Sequence, residues 1–250
     1  MAAQKRNIKL IVFGILAYLL FLLALFPISL LQKWIPKESL PVSVENLSGT
    51  LWEGAAIVKQ REVGRLDIAW DLSLSSILTG QLASDIEVKG QKFNFEGFVG
   101  YGLGGSIDVR NAQGYLTAEL VNQFTRRQQA TLNGDFELSG LNLVYDLNAK
   151  QAKSAEGRLV WQGGMVSYPV ARKKTQSEMP MLVAQFGANE GNLQAEVTTT
   201  DGQSVGQLNL KSDGWAGIAI KRRIVDLAGQ KWPGKGNADT TVFEVSEKVF

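Results

Sequence analysis

From Leu66 onward this chain alternates between apolar and polar residues with a period of two. Leu66, Ile68, Trp70, Leu72 and Leu74 are interleaved with Asp67, Ala69, Asp71 and Ser73. Successive side chains of a β-strand point to opposite faces, so such a stretch presents one dry face and one wet face. The same pattern returns in Phe93 and Phe95, in Ile107 and Val109, in Leu141, Leu143, Tyr145 and Leu147, and in Leu193, Ala195 and Val197. Strands buried on both faces would read as unbroken apolar runs, so clean alternation selects antiparallel pairing. Glycines such as Gly64, Gly80, Gly114, Gly134, Gly157 and Gly191 fall where strands begin or turn. The expected fold is mainly β: an extended antiparallel meander of about ten to fourteen strands, closed as a sandwich or left as a curved gutter-like sheet. Few short helices are expected, over Leu120 to Phe124 and Ile224 to Ala228, while 171–179 reads as an exposed loop.

Ahead of the strands, Leu10 to Leu31 form 22 residues without a charge. A helix over them would be roughly 33 Å long, enough for a hydrocarbon core of about 30 Å. A signal-peptide apolar region is typically about 7–15 residues, so the length favours an uncleaved anchor. Lys5, Arg6 and Lys9 precede the segment and Trp34 follows it, which predicts a cytoplasmic N-terminus and an interfacial aromatic at the exit. The domain reading is therefore 1–9 cytoplasmic, 10–31 transmembrane helix and 32–250 a periplasmic β domain.

Composition narrows the chemistry. Residues 38–250 hold 21 Lys and Arg against 24 Asp and Glu, so no basic nucleic-acid footprint is apparent. The chain contains neither cysteine nor histidine, which removes disulfides, thiol nucleophiles, Ser-His-Asp triads and imidazole metal sites. No catalytic, cofactor-binding or metal-binding residues are assigned, and a non-enzymatic role is expected. The basic clusters Arg126-Arg127, Arg172-Lys173-Lys174 and Lys221-Arg222-Arg223 read as solvated loops that would also suit phosphate headgroups.

Three short motifs stand in order behind the anchor: Leu47-Ser-Gly-Thr-Leu-Trp-Glu-Gly54, the stretch from Trp70 to Gly80 ending Ile77-Leu-Thr-Gly80, and Gly157-Arg-Leu-Val-Trp-Gln-Gly-Gly164. In this arrangement the chain resembles protein N of the bacterial type II secretion system, over nearly its whole length. The resemblance implies a single-pass inner-membrane protein with a periplasmic β domain. It further implies an accessory role in export of folded proteins across the outer membrane, and other inner-membrane subunits of the machinery as partners. The motif positions Gly49, Leu51, Trp52, Gly54, Trp70, Gly80, Gly157, Trp161 and Gly163 are expected to be structural. The Gly-x-Leu strands are also similar to those of AsmA-like periplasmic proteins, and the alternative this implies is a β groove that binds or moves lipid.

Overall fold

The computed structural model describes residues 13–19, 21–22, 25–33, 42–61, 63–170 and 173–249. Thirteen strands form one antiparallel sheet: β1 (Ser43–Gly49), β2 (Glu53–Gln60), β3 (Gly64–Leu72), β4 (Gln81–Gly90), β5 (Phe93–Gly102), β6 (Ser106–Leu116), β8 (Phe136–Asp146), β9 (Gln151–Trp161), β12 (Leu182–Asn189), β13 (Asn192–Thr199), β14 (Ser204–Leu210), β15 (Trp215–Lys221) and β16 (Thr241–Lys248). A second, three-stranded sheet joins β7 (Thr131–Leu132), β10 (Gly164–Val170) and β11 (Lys173–Met179) in the order β11-β10-β7.

The predicted alternation becomes a continuous apolar row. Cross-strand partners run Leu47, Ala56, Ile68, Val88, Phe95, Gly114, Leu138, Leu159, Ala184, Val197, Gly206, Ile220 and Phe243, one from each strand of the large sheet. The opposite face carries Ser139, Arg158, Gln185, Glu196, Gln207, Ala219 and Glu244 in register. A one-residue slip would exchange these faces, so burial of the apolar row fixes the register.

That burial is partial. Among the described residues no side chain larger than Val205 is fully buried, and Leu208, Ile218, Phe243 and Val245 on the apolar face are 37–54% exposed. The chain exposes 16618 Å², whereas a compact monomer of 27.3 kDa would expose about 10,900 Å². A doubled-over sandwich would have buried this face, so of the two closures expected from sequence the sandwich is not the one formed. A packed cluster lies at the N-terminal edge, where Leu47, Ala56 and Val58 are buried against Ile28, Val44, Leu66, Ile68 and Trp70.

Two ends of the large sheet differ. At the end we call proximal, β1–β2, β3–β4, β5–β6, β8–β9, β12–β13 and β14–β15 are joined by short connections, the longest holding helix α1 (Leu74–Leu78). At the distal end lie the long connections. One carries α2 (Ala118–Phe124) and β7, the next carries β10 and β11, and the third carries α3 (Arg222–Leu227). Because β7 pairs with β10 through Val166–Leu132 and Ser167–Thr131, the first two insertions build the small sheet together.

Three expectations need correction. Helical backbone covers Phe13 to Leu19 and Phe21–Leu22, but Ile28–Lys33 is a 3₁₀-helix beside β1 and Pro27 bridges Thr50, so the helix does not continue to Leu31. Proline lacks the amide hydrogen and its ring clashes with the preceding turn, which is why helical backbone stops ahead of it. No described helix is long and apolar enough to cross a membrane. Leu74 opens α1 rather than ending a strand, and Lys173–Met179 is strand β11 rather than loop. The helices expected near Leu120 and Ile224 are present as α2 and α3.

Candidate interaction surfaces

The motif residues gather into two packing knots rather than one pocket. In the first, Gly49 pairs with Gly54 across the β1–β2 turn, and the Trp70 indole N–H donates to the Leu51 carbonyl at 3.2 Å. A Cβ on Gly54 would lie 2.3 Å from the Trp70 ring, so only glycine lets the indole cover the turn. The Thr50 hydroxyl accepts from the Trp52 and Glu53 amides at 3.2 and 3.1 Å, and the Trp52 carbonyl accepts from Leu72 N–H at 2.6 Å. The second knot joins both insertions. Trp161 donates from its indole to the carbonyls of Asn133 and Gly134 at 2.9 and 3.1 Å and stacks on Phe136 at 6.4 Å between centroids. Gly163 lies against the backbone of Met179, Pro180 and Met181. Gly80 follows α1, and Gly157 faces the β8 irregularity at Leu141. Lys5, Arg6, Lys9 and Trp34 lie outside the described residues.

Sequence reasoning missed the polar pins that hold the distal insertion. Asp135 accepts from the Tyr115 hydroxyl and from the Ala118 amide at 2.8 Å, and both interactions hold its carboxyl below the usual carboxylate range. The Tyr115 phenol is correspondingly pushed up by the same carboxylate. Asn122 pairs its amide with both backbone groups of Leu132 at 2.8 Å, fastening α2 to β7. At the last long connection, Arg223 reaches the Ser204 carbonyl at 3.1 Å, Gln203 Oε1 at 2.6 Å and Asp239 at 2.5 Å.

A groove of about 1140 Å³ runs over β1 to β6, and it lies on the polar face. Glu53, Asp71, Asp85, Glu87 and Glu96 line it with Gln113 and Arg110, whose guanidinium sits 4.1 Å over the Phe98 ring. The lipid-binding alternative implies an apolar groove, and in this one the five carboxylates stand among Ala55, Ala69, Trp70, Ile86 and Phe98. No group of three or more potential metal ligands occurs among the described residues.

What the geometry defines is a class: a β protein built on one large meandering sheet with a small second sheet and a thin interior, whose functional area is surface rather than an enclosed cavity. The chain belongs to the family described as Type II secretion system (T2SS), protein N, which it matches over residues 41–229. It is similar to the type II secretion system protein N of Vibrio cholerae serotype O1, with 27% identity over 176 residues, covering 68% of this chain and 66% of that protein. The chain thus spans just under two thirds of that relative's length. No solved structure matches it.

Proposed function

We propose that this chain is an accessory inner-membrane subunit of the type II secretion machinery, acting in export of folded proteins through protein–protein contact and without catalysis. The family membership over residues 41–229 carries the reading. The apolar residues ahead of Pro27 anchor the chain as a single pass, with 1–9 in the cytoplasm and the β domain, onto which Pro27 and the 3₁₀-helix pack, in the periplasm. In support, Phe13, Ile15, Leu16, Tyr18, Leu19, Phe21 and Leu25 are 55–70% exposed, so the rest of the chain does not cover them. An apolar segment left bare by its own domain is accounted for by lipid.

The contacting elements are proposed to be the outer edge of β16, where Phe243 and Val245 are exposed, and the loops of the distal end. An edge strand with free N–H and C=O groups adds a partner strand readily. A photo-crosslinking residue at Phe243 or Val245, in cells making the whole apparatus, should capture other subunits of the machinery. Capture of none, from either position or from the distal loops, overturns the proposal. A C-terminal reporter active only in the cytosol would overturn the orientation.

A further inference from the structure

We infer that the proximal end of the large sheet is a second membrane contact, a row of turn tips that enters the headgroup boundary of the bilayer beside the anchor. The inference rests on the anchoring reading above and adds a surface to it.

The tips carry large apolar side chains that nothing in the chain covers: Leu78 is 89% exposed, Leu103 88%, Leu74 57% and Leu147 42%. These residues lie far apart in sequence, and the sheet register brings them to one end. Gln81 pairs with Gly102 and Ser106 pairs with Asp146, so the β3–β4, β5–β6 and β8–β9 turns are neighbours. Hydrogen bonds join those tips directly. Leu103 N–H donates to the Gly80 carbonyl at 3.0 Å, Leu147 N–H donates to the Gly105 carbonyl at 2.9 Å, and the Asn148 side-chain amide donates to the Gly104 carbonyl at 2.9 Å. The row continues back through Leu72 N–H, bonded to the Trp52 carbonyl, to Thr50. There Pro27, which closes the apolar N-terminal segment, bridges onto the sheet. The patch and the anchor therefore leave the domain on the same side.

Charge and chemistry agree with lipid as the occupant. The two segments that form the centre of the row, 72–84 and 97–107, contain no charged residue. Between the leucines stand Ser73, Ser75, Ser76 and Thr79, whose hydroxyls bond one another or nearby backbone, and Tyr101 is 49% exposed at the margin. Apolar tips with small hydroxyls and a tyrosine suit the boundary between headgroups and acyl chains. Clusters at Lys173-Lys174 and Lys221-Arg222-Arg223, which sequence reasoning offered to headgroups, lie instead at the distal end or in the insertions that leave it.

The natural chain has no cysteine, so single-cysteine variants of the full chain can be labelled without background. Leu78→Cys and Leu103→Cys would carry an environment-sensitive fluorophore in phospholipid nanodiscs containing spin-labelled lipid. Leu19→Cys would report the anchor, and Asp201→Cys the distal end. The expected result is blue-shifted emission at positions 19, 78 and 103 that spin-labelled lipid quenches, with position 201 unaffected. Quenching at 19 but not at 78 and 103 overturns this inference and leaves the anchor standing. Absence of quenching at 19 overturns the anchor reading, and quenching at 78 and 103 alone would then uphold the contact without it. Shielding of 78 and 103 from aqueous iodide without lipid quenching identifies a protein occupant and overturns the proposal.

Discussion

Replacing Gly163 by alanine tests whether the stem of the insertion that carries β10 and β11 is held by backbone packing. Gly163 has φ +78°, and a Cβ there would lie 2.7 Å from the Met179 carbonyl oxygen, 2.7 Å from the Pro180 carbonyl carbon and 2.8 Å from the Met181 nitrogen. Left-handed backbone costs alanine about 1–2 kcal/mol. The overlap adds about 1–3 kcal/mol, because the obstructing atoms are backbone and have no rotamer to escape into. Two controls separate these costs. Gly202 has φ +81° with nothing within 4 Å of a built Cβ, so Gly202→Ala should show the backbone cost alone. Gly187 sits in β12 with an open Cβ position and no positive φ, so Gly187→Ala should be neutral or stabilise by about 0.4–1 kcal/mol. At roughly 2–4 °C per kcal/mol for a domain of this size, Gly163→Ala should lower the melting temperature by about 4–20 °C. On the same scale Gly202→Ala should lower it by about 2–8 °C. Circular-dichroism melts of the full chain in detergent measure all three. Equal losses for Gly163→Ala and Gly202→Ala would refute the steric argument.

Trp70→Phe keeps most of the ring but loses the donor to Leu51, and should cost about 1 kcal/mol, read as a lower melting temperature with faster proteolysis in the 49–54 turn. Asp135 has a depressed folded-state pKa, so its ionised form contributes stability above the ordinary carboxylate pKa, and that contribution is lost as pH falls through the folded value. The melting-temperature gap between the natural chain and Asp135→Asn should therefore narrow on acidification; a constant gap would contradict the assignment. Arg223→Ala removes the three contacts that tie the β13–β14 turn to the connection before β16. Loss of about 1.5 kcal/mol of local stability should speed amide exchange at Thr241 to Phe243 about tenfold, against no change in β4.

Strands β3 to β6, β8, β9, β13 and β14 were legible because each carries its own alternation, and the same pattern that marks Leu66 to Leu72 also sets its cross-strand partners; β1, β2, β12, β15 and β16 were not singled out by it. What failed was local. Leu74 continues the period of two in sequence, yet the Ser73 amide bonds the Ala83 carbonyl and the chain turns into α1. Strand β11 escaped because its inward positions are Thr175, Ser177 and Met179, of which Ser177 is buried without being apolar. Small polar residues packed between strands leave no hydrophobic signal. The motif glycines and tryptophans were legible as structural, but not their grouping: Gly54 with Trp70, Gly163 with Met179 to Met181 and Trp161 with Asn133 and Gly134 become neighbours only through register. The proximal row was hidden for the same reason, since Leu78, Leu103 and Leu147 belong to three separate turns.

The distribution of connections bears on which way the domain faces. A meander with an odd number of strands can place its insertions at either end, and here the three long ones, 117–135, 162–181 and 222–240, all leave the distal end. Every proximal connection is short, the longest being Ser73–Gly80. A flat surface pressed against one end of a sheet excludes long excursions there and tolerates turns, whereas the free end can grow. Pro27 also ties the apolar segment to the proximal end, through Thr50. Segregation of loop length, placement of the uncharged turns and attachment of the apolar segment are three separate features of this chain, and a membrane lying along the proximal end accounts for all of them. On that proposal, β16 and the distal insertions are the parts left to meet other subunits.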